Sequence, residues 1–185
     1  CLADNANATP RWRILDSGAI EWQIDGRLPH YDHIEMSGLK VSTVLRYGVN
    51  ETGEWVIDRN IVLPTFRTIP NDTHASLQHR FNGDWAYLCL VNGQPLLGEK
   101  VETISLSGVM TVKSIYSDKG IALTRTLFPS TSYPVFCEKY ELENVTDRSL
   151  TVEFPSNSLS YRTDEARGVE GSYTLTATLS SPAKE

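Results

Sequence analysis

Apolar and polar positions alternate through four consecutive runs between residues 110 and 154, and a turn closes each run. The run 110–117 is rich in β-branched and aromatic residues and stops at Asp118-Lys119-Gly120. The run 121–128 stops at Pro129-Ser130, and 135–142 stops in 144–148. In 150–154, Leu150, Val152 and Phe154 fall on one side, Thr151 and Glu153 on the other. Period-two alternation punctuated by Gly, Pro, Asn and Asp predicts half-buried antiparallel strands.

The same period recurs along the rest of the chain. Ile20, Trp22 and Ile24 alternate with Glu21, Gln23 and Asp25, and a short strand in 30–38 centres on Ile34 and Met36. Val41, Thr43, Leu45, Tyr47 and Val49 form one row, and Trp55, Ile57, Ile61 and Leu63 return after Asn50-Glu51-Thr52-Gly53. That pattern predicts a long hairpin over 41–63, with Gly53 at the left-handed turn position and Arg46 and Asp58 facing away from the apolar rows. Strands are also expected over 85–91, 101–106 and 173–179, where Tyr173, Leu175, Ala177 and Leu179 face away from Ser172, Thr174, Thr176 and Thr178. Residues 64–84 lack alternation and predict a long irregular connection, and 156–171 predict polar turns. No window combines helical apolar spacing with a cap. About ten to twelve short strands at hairpin spacing predict an all-β protein, an antiparallel β-sandwich over residues 11–185 behind a flexible tether, 1–10.

Composition narrows the function classes. The chain has 185 residues, enough for a full core in one domain, with 40% apolar and 22% charged residues. A net charge of −6 argues against nucleic acid as a partner, because phosphate binding needs a basic surface. No apolar run approaches the roughly 20 residues that span a bilayer. Three cysteines make an odd count, so no disulfide framework is expected. Cys89 and Cys137 lie in apolar runs and are expected as buried thiols. Cys1, ahead of a small polar stretch, resembles the lipid-bearing cysteine of a mature bacterial lipoprotein. That reading implies an exported protein, periplasmic or at the outer membrane, touching a membrane only through the lipid on Cys1.

Two polar clusters are candidates for ligand contact. His30, Asp32, His33 and Glu35 combine imidazoles and carboxylates; a strand would put His33 and Glu35 on one face and Ile34 and Met36 inward. Their spacing matches no tight metal motif, so no metal and no cofactor is assigned; ligand contact and a solvated cluster both remain open. Arg67, His74, His79 and Arg80 lie in the predicted 64–84 connection with Phe66, Ile69, Leu77 and Phe81. Planar donors suit sugar hydroxyls and carboxylates, while the apolar residues suit docking against another domain. Trp12, Trp22, Trp55 and Trp85 serve either the core or a sugar platform. No nucleophile elbow, phosphate loop or zinc-finger spacing is present, and no catalytic residue is assigned.

The order YSDKGIALTRTLFPS, then PVFCEKYELENVTDRSLTVEF, resembles the N-terminal β-sandwich, or supersandwich, of bacterial six-hairpin glycoside hydrolases. DHIEMSGLKVSTVLRYGV is similar to an early hairpin of such proteins in Bacteroidetes. The likeness covers residues 12–156. It implies an accessory domain for polysaccharide degradation, with carbohydrate as ligand and an (α/α)6 catalytic domain of the same polypeptide as partner. The general acid and base of such enzymes lie in that barrel. Glu185 falls earlier than such a sandwich ends, which leaves open a fragment, a cleaved form and a smaller stand-alone domain. A stand-alone carbohydrate-binding surface lipoprotein is the alternative.

Overall fold

A computed structural model describes residues 10–67, 76–164 and 172–180. In chain order the strands are β1 (Arg13–Ile14), β2 (Ile20–Gln23), β3 (His30–Ser37), β4 (Ser42–Val49), β5 (Trp55–Arg67), β6 (Ser76–Asn82), β7 (Leu90–Val91), β8 (Gln94–Pro95), β9 (Lys100–Leu106), β10 (Met110–Tyr116), β11 (Ile121–Pro129), β12 (Phe136–Asn144), β13 (Val152–Glu153), β14 (Asn157–Arg162) and β15 (Thr174–Leu179). One four-residue 3₁₀ helix, Trp85–Leu88, interrupts them. The protein is an all-β antiparallel sandwich, as the alternation predicts. A six-stranded sheet runs β1-β2-β9-β10-β11-β12, and a four-stranded sheet runs β3-β4-β5-β6. A small β13-β7-β8 sheet and a β14–β15 hairpin complete it.

The hairpin expected over 41–63 forms. Val49 pairs with Trp55 at the turn, and the register holds to Ser42 opposite Val62. Asn50 Oδ1 accepts from the Thr52 and Glu54 amides at 3.0 and 2.9 Å, and Gly53 takes φ 86°. The side-chain carbonyl replaces a ladder partner, and the left-handed residue reverses the chain. Val41, Thr43, Leu45, Tyr47 and Val49 are all buried, as are Trp55, Ile57, Ile61 and Leu63.

Several elements differ from the sequence expectation. Four of the fifteen strands among the described residues have only two residues, too short for alternation to register, which explains the excess over twelve. The run 85–91 is a 3₁₀ turn and then β7, because Asp84 caps the Ala86 amide at 3.1 Å and bends the chain. The described parts of 64–84 are mostly strand: β5 continues to Arg67, and β6 runs from Ser76 to Asn82. The β5–β6 register shifts between Leu63 and Arg67, across Pro64, which has no amide to donate. Alternation in β6 was obscured because His79 takes an inward position between Leu77 and Phe81. The fourth run of the 110–154 pattern leaves its sheet. Asn144 Oδ1 accepts from the Thr146 amide at 2.9 Å, and Asn92 exchanges bonds with Thr151, so β13 pairs with β7. Within 156–171, β14 forms despite its polarity, since all six of its residues pair with β15.

A single core was expected, and three apolar clusters are found. Trp22, Leu45, Tyr47, Val49, Ile104, Met110 and Leu127 belong to the first, between the two large sheets. Cys89, Val91, Tyr116, Ile121 and Leu123 belong to the second, with Leu150 and Phe154 packed on it. Val41, Ile61, Leu63, Leu77 and Leu175 belong to the third. Charged residues at inward positions divide them. Arg59 stands between Ile57 of the first cluster and Ile61 of the third, and Arg125 between Leu123 of the second and Leu127 of the first. Cys89 and Cys137 are free thiols. Cys89 is buried as expected, and burial pushes its thiol up to about 11. Cys137 is only half-buried, because its position in β12 points away from the row of Phe136, Glu138 and Tyr140.

A close approach pins the strand ends together. A Cβ on Gly38 would lie 1.9 Å from the Ser130 carbonyl oxygen, where the Leu39 amide reaches the Thr131 carbonyl at 3.3 Å. Gly38→Ala is therefore expected to destabilise the protein by about 1–3 kcal/mol through overpacking against backbone. Urea unfolding measures this; an unshifted midpoint would mean that the 130–135 loop gives way freely.

Candidate ligand-binding cleft

A cleft of about 360 Å³ opens where the six-stranded sheet ends. β5 and Phe81 of β6 contribute one side, β12 another, and β15 a third. Among the described residues β12 pairs only with β11, and β15 only with β14, so strands from three separate sheets line one space. Its walls are Ile61, Leu63, Phe81, Phe136 and Leu175, with the half-buried Trp85 alongside. β15 lines it along Thr174–Leu179, with Leu175 and Leu179 buried and Thr174, Thr176 and Thr178 exposed on the alternate positions.

Arg59, Glu138 and Tyr140 are the charged and phenolic lining. Arg59 reaches across the sandwich from β5 to Glu138 on β12. Its Nε and Nη2 donate to the two carboxylate oxygens, the latter at 2.7 Å, and Nη1 donates to the Gly83 carbonyl at 2.5 Å. Tyr140 Oη donates to Glu138 Oε2 at 2.8 Å. Burial works against the charge on Arg59, but the bonds and field of Glu138 more than offset it, so the cation is held above its usual range. Burial first, then the charge of Glu138, raises the Tyr140 phenol, which stays a neutral donor.

A second ion cluster supports this lining. Arg125 donates to both oxygens of Glu99, to Asp84 Oδ2 at 2.5 Å and to Ser114 Oγ at 3.3 Å. Gly83 and Asp84 thus tie Arg59 to Arg125 through adjacent residues. The 3₁₀ turn carrying Trp85 begins at that tie, so the ion pairs position the indole. Chemically, Glu138 is a carboxylate saturated by three donors from Arg59 and Tyr140, suited to holding a shape and poorly suited to donating a proton.

None of these residues stood out in the sequence as a site, although a signal was there. Arg59 sits at the inward parity of Trp55, Ile57, Ile61 and Leu63; Arg125 at that of Ile121, Leu123 and Leu127; Glu138 at that of Phe136 and Tyr140. A charge on an apolar row demands a buried partner.

The predicted site residues divide between two faces. On β3, alternation sends His30 and Asp32 to the side of Ile34 and Met36, and His33 and Glu35 to the outside, so the four do not form one site. His30 stands edge-on to Trp22 at 5.2 Å, and burial, then Arg11, lowers its pKa, keeping it neutral. Among the described residues no group of His, Cys, Asp and Glu is placed to hold a metal ion. His79 lies in strand β6 rather than in an irregular connection. It faces inward from β6, stacked on Tyr161 of β14 at 3.9 Å and 14°, with Phe81 edge-on at 4.6 Å; burial lowers its pKa. Arg80 alternates to the outside of the same strand, 57% exposed, and pairs with Asp58. His33, Glu35 and Arg80 therefore share the outer face of the four-stranded sheet. Arg67 ends β5 opposite Ser76. His74 and Cys1 lie outside the described residues. Of the four tryptophans, Trp22 and Trp55 are core, Trp12 packs on them, and Trp85 lines the cleft. No helix among the described residues is long and apolar enough to cross a membrane.

No protein-family model matches the chain, and no curated protein or solved structure is significantly similar to it.

Proposed function

We propose that this chain is the N-terminal accessory β-sandwich of a glycoside hydrolase acting on complex polysaccharides, serving an (α/α)6 catalytic domain and contacting glycan at the β5–β12–β15 cleft. The observation that carries the reading is the cleft lining. Trp85 and Phe81 offer aromatic surface, and among the described residues the only carboxylate in the lining is Glu138, already bound by Arg59 and Tyr140. Glycoside hydrolysis generally uses two carboxyls about 5–10 Å apart across the scissile bond. A cleft with one neutralised carboxylate suits holding a sugar and leaves the chemistry to the barrel. The stretch that resembles the supersandwich, 134–154, supplies the β12 wall of this cleft.

Calorimetry of the purified chain against a panel of neutral oligosaccharides tests the reading, with aryl glycosides as turnover probes. Expected is binding that Trp85→Ala weakens at least about tenfold, a loss of about 1.4 kcal/mol, with no turnover of any glycoside. Turnover by the isolated chain would overturn the accessory role, and binding indifferent to Trp85→Ala would remove the cleft.

A further inference from the structure

We propose that the outer face of the four-stranded sheet is a second, separate sugar-binding surface, selective for uronate-bearing glycans, on which Tyr31 stacks the sugar ring and Arg46 with His33 takes its carboxylate. Only the choice of a sugar as ligand rests on the reading above.

Tyr31 is 54% exposed on β3, opposite Gly48 of β4. A Cβ on Gly48 would fall 2.6 Å from Tyr31 Cδ1 and 2.9 Å from its Cα. The ring therefore covers backbone that any other residue would block, and it is held against the sheet rather than waving in solvent. An aromatic surface held in place binds a sugar face with less ordering entropy to lose.

The polar groups around this ring fix the ligand's charge. Both carboxylates on the face have donors of the face itself, although Asp58 Oδ1 is buried without a hydrogen-bond partner. Asp58 pairs with Arg80, and Glu35 accepts from Ser37 Oγ at 3.0 Å and Ser42 Oγ at 3.1 Å. Arg46 lies between His33 and Asp58 in the cross-strand row, and both it and His33 are exposed. Among the described residues neither side chain makes a hydrogen bond or ion pair. What the face presents to solvent unpaired is thus a guanidinium, an imidazole and an aromatic ring, since the unpartnered Asp58 Oδ1 is buried. In a chain of net charge −6 this is a local site for an anion, matched to the planar fork of arginine.

The spacing agrees. His33 and Arg46 each lie two residues along their strands from Tyr31 and Gly48, roughly 6.5–7 Å away on the same face. A pyranose ring seated on Tyr31 turns a carboxylate on its rim toward Arg46. Glucose-type sugars would lose that contact and keep only the stack.

The test is isothermal titration calorimetry of the full chain with oligogalacturonate and with the same oligomer fully methyl-esterified. The acidic oligomer is expected to bind at least about tenfold tighter than the ester. Tyr31→Ala and Arg46→Met should each weaken it by a similar factor with unchanged Tm, while Trp85→Ala leaves it untouched. Equal affinity for acid and ester, insensitivity to Tyr31→Ala and Arg46→Met, or absence of binding overturns the proposal. Loss of acidic binding with Trp85→Ala would also overturn it, by assigning the ligand to the cleft. Neutral-oligosaccharide binding, lost only with Trp85→Ala, reports on the cleft alone.

Discussion

Arg125→Ala is expected to destabilise the protein by about 3–5 kcal/mol, the range for breaking a buried ion cluster from one side. Arg125 is 1% exposed and Glu99 6%. The guanidinium spans Glu99, Asp84 and Ser114, so its removal leaves two carboxylates without their cation in a place water scarcely reaches. Burial alone would lower the arginine's pKa; the fields of Asp84 and Glu99 more than reverse that, which is why the residue is tolerated as a cation. The loss should propagate to the cleft, because Asp84 also caps the 3₁₀ turn that carries Trp85.

Two further variants separate lost charge pairing from lost packing. Arg125→Met keeps much of the volume and should be nearly as unstable as Arg125→Ala. Adding Asp84→Asn and Glu99→Gln removes the orphaned charges while keeping the cap, and should restore a large part of the stability. Urea unfolding reads all of this. A deficit below about 1 kcal/mol, typical of exposed pairs, would show that water screens the cluster.

Trp22→Ala is expected to cost about 3–5 kcal/mol, the usual result of emptying an aromatic core position. Trp22 is fully buried in the first cluster, with Trp12 at 6.1 Å, His30 edge-on at 5.2 Å and the Arg11 guanidinium 5.1 Å over its ring. It joins the short β1–β2 edge to the main core, so its loss should free that edge as well. Trp22→Phe should cost much less, since Trp22 Nε1 has no hydrogen-bond partner to lose. A second readout is local: with the indole gone, water reaches His30, and its NMR titration should move up toward the ordinary imidazole value. Stability lost without movement of the His30 titration would contradict this account of the contact.

The apolar strand rows were legible where alternation was strict. The 41–63 hairpin, its Gly53 turn and the inward positions of Leu45, Tyr47, Trp55 and Ile57 follow from period-two patterning and turn chemistry, both local properties. Alternation failed where a polar residue took an inward position, as His79 does in β6, and where backbone pairing alone made a strand, as in β14. It also left open which sheet 150–154 joins, because pattern shows which side of a strand is apolar and says nothing of which strand lies beside it.

The candidate site shows the same division. The sequence by itself determined that this is an all-β chain with inward apolar rows, and it carried Arg59, Arg125 and Glu138 on those rows as charges in need of partners. Only the tertiary structure decided the partners: Arg59 meets a residue 79 positions away, and Arg125 one 26 positions away, across strands that chain order does not place together. Strand period already put His33 and Glu35 on the face away from Ile34 and Met36, but only the tertiary structure set Arg80 on the outer face with that pair. The physical reason is that side-chain direction is set by the local backbone, whereas contact depends on long-range register and on which sheet each strand joins.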